Sequence, residues 1–208
     1  MKILLLGASG TLGRTVLNEG VRAGHEITVL IRTPEKLGVV PQGVKVVVGD
    51  VLTTQLEPLV AGVDAVVQSL GVGGKGDGKA TSICADGNRR LLTAIGDRST
   101  RMVAVSNIGV DGSGTAFFRK FVLPVFVRWL QPIIADKENM ERDLRASRTR
   151  WTAVRFPAFS EKPAEGGPRF SRTGVELGFT INLESAAQVL LWLAGSDAYK
   201  GEAVCVSD

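Results

Sequence analysis

The amino-acid sequence predicts an α/β fold, a doubly wound parallel sheet with helices on both of its faces. Two observations carry this prediction. Short apolar runs of strand type alternate with segments of helical periodicity along the whole chain, a pattern typical of parallel strands joined by crossover helices. The chain of 208 residues also shows no repeat and no linker, so we expect a single domain over residues 1–208.

The first strand leads into a glycine-rich turn that suits a dinucleotide. The apolar run 3–6 is followed by Gly7-Ala8-Ser9-Gly10-Thr11-Leu12-Gly13 and then by an amphipathic segment. Gly7 permits a tight turn, Gly10 lets the backbone approach a pyrophosphate, and Gly13 lets helix and strand pack closely. The free N–H groups that would face this anion belong to Thr11, Leu12 and Gly13. An ordinary strand–turn–helix is the alternative, but glycines in this position favour a Rossmann nucleotide-binding unit.

The second strand, residues 27–31, is followed by Arg32 rather than by an acidic residue. Asp or Glu at this position accepts hydrogen bonds from the ribose hydroxyls of NAD, whereas an arginine fork suits the 2′-phosphate of NADP. A solvated surface arginine is the alternative. The sequence therefore predicts a preference for NADP over NAD.

The remaining elements follow from apolar runs and helical periodicity. The first helix is expected to end at Gly24, and further helices are expected at 55–60, 82–95, 132–147 and 184–193. Strands are expected at 44–48, 65–67, 102–105, 152–156 and 203–206, with short ones around 169–171 and 175–180. The glycine-rich run 71–78 is a candidate mobile edge of a site. A Phe- and Trp-rich run at 113–130 is interrupted by Pro124.

Ligands of such sheets bind outside the carboxyl ends of the strands, near the point where the strand order reverses. The candidate residues are therefore those that directly follow a strand: Arg32, Asp50, Val51, Ser69, Leu70, Gly71, Ser106, Pro157, Ala158 and Phe159. Asp50 is expected either to accept a hydrogen bond from an adenine amine or simply to form a turn after Gly49. Ser106 is expected either to donate to a substrate carbonyl or to cap the following turn.

Lys137 stands out in the helix over residues 132–147. It shares one face with Ile133, Met140 and Leu144, so its ammonium lies on an otherwise apolar face, where an unpaired charge is costly. A ligand hydroxyl or phosphate would satisfy it, and a lysine that snorkels to solvent is the alternative. The pattern favours a ligand role.

Composition limits the class of protein. The net charge of +4 comes without a long basic run or a recognition motif, so nucleic acid is not indicated. Cys84 and Cys205 lie far apart without metal-type spacing, which predicts no metal site and favours a reducing compartment. No apolar run is long enough for a signal peptide or a membrane span. The expected location is the cytoplasm.

Several of these motifs together resemble the atypical short-chain dehydrogenase/reductase superfamily. They are the turn at 7–13, Val29-Leu30-Ile31-Arg32, Gly49-Asp50-Val51, Val105-Ser106-Asn107 and the run 137–155. Within the superfamily the chain resembles the NAD(P)H-binding group of NmrA-like proteins and biliverdin reductase B, a flavin reductase. The resemblance covers nearly the whole chain.

The resemblance implies a role for each motif. The backbone at 9–13 would hold the pyrophosphate, Arg32 would contact the 2′-phosphate, and Asp50 and Val51 would flank the adenine. Leu70 and Gly71 would line the ribose, and Ser106 would lie beside the nicotinamide. Lys137 matches the lysine of the family's Tyr-x-x-x-Lys pair. Ile133 stands where the tyrosine is expected, and Ala158 stands near the position of a catalytic histidine in the biliverdin reductase branch.

The sequence therefore predicts an NADPH-dependent reductase whose acceptor takes hydride without a strong protein acid, such as a flavin or a quinone. Ser106 and Lys137 are the candidate catalytic residues. A group of aromatic side chains is expected either to line the binding site of this planar acceptor or to pack in the hydrophobic core. The group comprises Phe117, Phe118, Phe121, Phe126 and Trp129. Two alternatives are a non-catalytic NADP-binding sensor with a protein partner and an assembly factor that uses the 117–129 segment as an interface.

Overall fold

The computed structural model describes residues 1–72, 78–126, 128–164 and 166–208. Eight strands form one sheet in the order β3-β2-β1-β4-β5-β6-β10-β8, and β7 and β9 pair separately. The strands are β1 Lys2–Leu6, β2 Glu26–Ile31, β3 Lys45–Val48, β4 Ala65–Gln68, β5 Arg101–Asn107, β6 Arg150–Phe156, β7 Ala158–Ser160, β8 Arg169–Ser171, β9 Thr180–Asn182 and β10 Glu202–Ser207.

The sheet confirms the predicted doubly wound parallel architecture. Strands β1 to β6 run parallel to one another, and β10 runs parallel to β6. Strand β8 pairs antiparallel with β10 at the edge of the sheet. The α-helices are α1 Thr11–Arg22, α2 Glu57–Val60, α3 Ile83–Ile95, α4 Gln131–Ala146 and α5 Leu183–Ala194. The strand order reverses between β1 and β4, which places the predicted ligand crevice there.

Each face of the sheet has its own apolar core, because successive strand side chains point to opposite faces. Leu5 of β1 packs with Val16 of α1 and Leu190 of α5 on one face. Leu4, its neighbour in β1, packs with residues of α3 and α4 such as Leu144 on the other. Helix α4 therefore lies against the same face as α3, and this arrangement positions the site described below.

Two sequence expectations about local structure are wrong. Residues 175–179 form no strand, and the chain becomes extended only at β9, Thr180–Asn182, where it pairs with β7. The aromatic run 113–130 was expected to be broken at Pro124, yet Phe118–Phe126 forms a wide, π-type helix. Proline has no N–H to donate, so a regular α-helical ladder cannot continue through position 124.

Parts of two predicted features lie outside the described residues. These are residues 73–77 of the glycine-rich run 71–78 and, in the aromatic segment, Val127 and the side chains of Phe118 and Phe126. In the described ranges, no helix is long and apolar enough to cross a membrane.

Candidate functional site: the carboxyl edge of the sheet

Two glycines of the first turn are required by the packing of the chain itself. Gly7 has a φ of +83°, and a Cβ built there would lie 2.2 Å from the carbonyl oxygen of Ser69, which follows β4. A Cβ on Gly13 would lie 2.1 Å from the carbonyl oxygen of Gly7. The end of β1 can therefore approach β4 and α1 this closely only with glycine at both positions.

Gly10 differs from these two glycines. A Cβ on Gly10 would meet only the Gly7 carbonyl oxygen, at the ordinary contact distance of 3.4 Å. Gly10 is the N-cap of α1, and no side chain of the described ranges caps this helix end or adds an acidic charge to its first turn. Ser9, Gly10 and Thr11 are exposed. The positive end of α1 is thus open to solvent, as an anion-binding turn must be.

Arg32 and Asp50 lie side by side at the edge next to this turn. Strands β2 and β3 pair up to Ile31 and Val48, so the residues that follow them are neighbours. Asp50 Oδ1 accepts a hydrogen bond from the Leu52 N–H at 2.8 Å, which is the turn role that the sequence left open. Asp50 Oδ2 lies 3.8 Å from Arg32 Nη1. The Arg32 side chain is mostly exposed, so its guanidinium is free to meet a phosphate.

The segment after β4 forms the other wall of the crevice. The Ser69 N–H donates to the Leu6 carbonyl at 3.0 Å, which fixes this segment against β1. Ser69 and Leu70 are half-buried and Gly71 is exposed. Val51 is buried against α3. These positions agree with a wall that contacts a ligand mainly through backbone and apolar atoms.

Lys137 of α4 is buried, with 3% of its surface exposed. Its Nζ donates to the carbonyl oxygens of Leu70 at 3.0 Å and Val105 at 2.6 Å. The snorkelling alternative is therefore wrong. The expectation that a ligand must satisfy the ammonium also needs correction, because two strand-end carbonyls accept two of its three protons. The Cys84 thiol also lies within hydrogen-bonding reach of the ammonium at the junction of β4 and β5.

Asp136, the residue before Lys137, is a structural part of the site that the sequence analysis missed. Its carboxylate accepts the N–H groups of Cys84 at 3.0 Å and Ala85 at 2.9 Å, so α4 caps the first turn of α3. The Cys84 thiol donates to the same Leu70 carbonyl at 3.3 Å. Burial raises the pKa of this thiol, and the nearby Lys137 ammonium offsets the shift only in part. Cys84 therefore stays a neutral thiol near neutral pH.

Ser106 is buried at the end of β5, and its hydroxyl donates to Glu141 Oε1 at 2.7 Å. The turn-capping alternative is wrong, because the Ser106 proton goes to Glu141 and not to the following turn. Donation to a substrate carbonyl stays a prediction. While Glu141 holds that proton, the hydroxyl oxygen offers lone pairs to a ligand.

Glu141 is fully buried and is held by two arginines. Arg155 of β6 binds both of its oxygens, at 2.9 and 2.6 Å, and Arg145 lies 2.9 Å from Oε2. Burial by itself would lower the pKa of Arg155, but the hydrogen bonds and charge of Glu141 outweigh it and raise that pKa. Glu141 lies one helical turn after Lys137, and this spacing was the signal in the sequence that it faces the same buried junction.

The residues after β6 form a short second strand pair. Ala158 and Phe159 begin β7, which pairs with β9, while the half-buried Pro157 links β6 to it. The Phe159 ring lies 5.7 Å from that of Phe156. In the aromatic segment, Phe117 and Phe121 stack on each other at 5.7 Å and are exposed. The alternative of ordinary core packing is therefore wrong for these two rings.

Fold and site together define a dinucleotide-binding Rossmann protein. The chain belongs to the NAD(P)H-binding family, whose model matches residues 7–196. This match covers most of the chain and confirms that the chain belongs to a family of NAD(P)H-binding proteins.

Three proteins show what this chain is similar to. The uncharacterized protein YwnB of Bacillus subtilis is 28% identical over 179 residues, which are 84% of this chain and 77% of YwnB. A candidate NADH-flavin reductase of Streptococcus pneumoniae superimposes with a TM-score of 0.81 at 17% identity, over 100% of this chain and 99% of that one. A wide-type short-chain dehydrogenase/reductase of Veillonella parvula in complex with NADP gives 0.77 at 16% identity, over 100% and 94%.

Proposed function

We propose that the protein is an NADPH-dependent reductase that passes hydride to a planar acceptor such as a flavin or a quinone. The observation that carries the proposal is the open, uncapped N-terminus of α1 at Gly10. A steric reason for glycine is present at Gly7 and Gly13 but not at Gly10, and the approach of a pyrophosphate would supply one. Membership of an NAD(P)H-binding family supports the same assignment.

The residues at the junction of β4 and β5 would orient the nicotinamide end. The cofactor supplies the hydride when it is bound. The Lys137 ammonium would donate to a ribose hydroxyl, and Ser106 would present an oxygen that accepts from a donor such as a carboxamide. Neither Ile133 nor the neutral Cys84 thiol replaces the tyrosine acid of the related enzymes. An acceptor whose own ring stabilises the reduced product suits such a site.

Cofactor preference is tested at Arg32. We expect the protein to bind NADPH more tightly than NADH, because the exposed guanidinium lies where the 2′-phosphate would be. Arg32→Glu should reverse this order, since it places a like charge beside the phosphate. Calorimetric titration of both cofactors measures it. Arg148→Glu makes the same charge change at an exposed site on the loop after α4 and serves as the control. Equal affinity of the wild type for both cofactors would contradict the preference.

Lys137→Met tests the orienting role. The loss of one charged hydrogen bond to the cofactor should weaken NADPH binding by about 1–3 kcal/mol. Any reductase activity should fall without the loss of a titrating group near pH 7, because Lys137 has no tyrosine to tune. The carbonyls of Leu70 and Val105 each lose one donor, so the melting temperature should drop as well. A variant with a lower melting temperature but wild-type cofactor affinity would make Lys137 purely structural.

Position 133 holds isoleucine instead of tyrosine, and this also favours one alternative, a cofactor-binding sensor without catalysis. Its 117–129 segment would contact a protein partner. A panel of flavins, quinones and bilins separates the two functions. The reductase is expected to oxidise NADPH with at least one of them. Tight NADPH binding without turnover of any acceptor would favour the sensor. We expect either function in the cytoplasm, where the free, buried Cys84 and Cys205 stay reduced.

A further inference from the structure

An exposed apolar surface lies on the wide helix Phe118–Phe126 and the residue before it. Phe117, Phe121 and Val125 follow each other at intervals of four residues, with 66%, 58% and 66% of their surfaces exposed. The two phenylalanine rings stack on each other instead of turning into the core. Within the described ranges these three side chains form an apolar strip that the fold leaves open to solvent.

Only positive charges accompany this strip. Residues 112–135 contain Arg119, Lys120 and Arg128 but no Asp or Glu. All three cations are exposed, and none forms an ion pair with an acid in the part of the chain that the structure describes. Elsewhere on this protein exposed arginines do pair with acids, as Arg89 does with Asp86 and Asp143. The segment thus combines aromatic and aliphatic side chains with uncompensated cations.

This combination fits an anionic lipid surface. Interfacial helices of peripheral proteins carry Phe or Leu on one face and Lys or Arg beside it, and they bind through buried apolar area together with attraction to anionic headgroups. We propose that the Phe117–Val125 strip, with Arg119, Lys120 and Arg128, docks the protein on an anionic bilayer. Anionic headgroups can neutralise all three cations while the apolar side chains enter the interface.

The location of the strip determines which edge of the sheet would face the membrane. The segment 108–117 leads from the carboxyl end of β5 to the wide helix, and the Gly114 N–H in this segment donates to the Thr173 carbonyl at 2.8 Å. The strip therefore lies at the same end of the sheet as the dinucleotide turn. Docking through it would turn the carboxyl edge of the sheet toward the lipid. The docking itself does not depend on the proposed reductase activity.

Co-sedimentation with vesicles tests the proposal. The full-length protein should sediment with vesicles of phosphatidylcholine and phosphatidylglycerol and not with phosphatidylcholine alone, and added salt should release it. The double variants Phe117→Ser/Phe121→Ser and Arg119→Gln/Lys120→Gln should each lose most of this binding. Phe179→Ser removes an apolar side chain that is 75% exposed elsewhere, and this control should bind as the wild type does.

Three results would overturn the proposal: no sedimentation of the wild type, equal binding to both kinds of vesicle, or unchanged binding of both double variants. If light scattering instead shows a wild-type dimer that Phe117→Ser/Phe121→Ser converts to monomer without any vesicle binding, the strip joins two copies of the chain and the proposal is wrong. NADPH titration and melting of the same variants verify that each is folded. Their cofactor affinity should equal that of the wild type, so a failure of docking is distinct from a failure of the reductase assignment.

Discussion

Gly10→Val is expected to abolish dinucleotide binding while the protein stays folded. The backbone at Gly10 has a φ of −76° and a ψ of 161°, which valine adopts readily, and a Cβ there contacts only the Gly7 carbonyl at 3.4 Å. Valine is a poorer N-cap than glycine, so the cost to stability should be about 1 kcal/mol. The side chain would occupy the approach of the pyrophosphate and remove its hydrogen bonds to the helix end. Two such bonds at about 1.5 kcal/mol or more each correspond to a loss of about 100-fold or greater.

Calorimetric titration with NADPH and thermal melting measure the two effects separately. Gly13→Ala is the matched comparison, because its new Cβ would lie 2.1 Å from a backbone oxygen and should destabilise the fold by about 1–3 kcal/mol or more. Comparison of Gly10→Val with Gly13→Ala therefore distinguishes a glycine that ligand binding requires from a glycine that the packing of the chain requires. Unimpaired NADPH binding by Gly10→Val would place the nucleotide elsewhere and remove the main support for the proposed function.

Glu141→Ala is expected to produce the largest loss of stability. Removing the fully buried carboxylate leaves Arg155 as a buried cation and frees the Ser106 hydroxyl. Breaking a buried pair from one side costs about 3–5 kcal/mol. Asp111, 3.4 Å from Arg155 and mostly exposed, is a weak substitute. Urea unfolding monitored by circular dichroism measures the loss.

Asp143→Ala is the control on the same helix. It removes a partner of Arg89 near the surface, an interaction worth about 0–1 kcal/mol. If Glu141→Ala costs no more than this control, the buried network contributes little to stability, and its role in holding Ser106 would need another explanation. Ser106→Ala keeps the ion pair and removes only the hydroxyl, so it tests that role directly through NADPH affinity.

The fold was predictable because its signals are local in sequence. The β1–turn–α1 unit needs only an apolar run, three spaced glycines and a helical period, all within residues 2–22. Strand–helix alternation then restricts the topology to a parallel sheet, which the order around β1 and β4 confirms. One exception is also local: the sequence predicts an interruption of the aromatic run at Pro124, whereas the chain continues there as a wide helix.

By itself the sequence determined the glycine turn at 7–13, the position of Arg32 after β2 and the inward face of α4 that carries Lys137. Only the tertiary structure decided the partners of the buried polar groups. The contacts of Lys137 with Leu70, of Asp136 with Cys84 and of Glu141 with Arg155 each join separate elements that no local periodicity brings together. A buried charge must find a partner wherever the packed chain provides one, and that partner is set by how α4 packs against α3 and the ends of β4, β5 and β6.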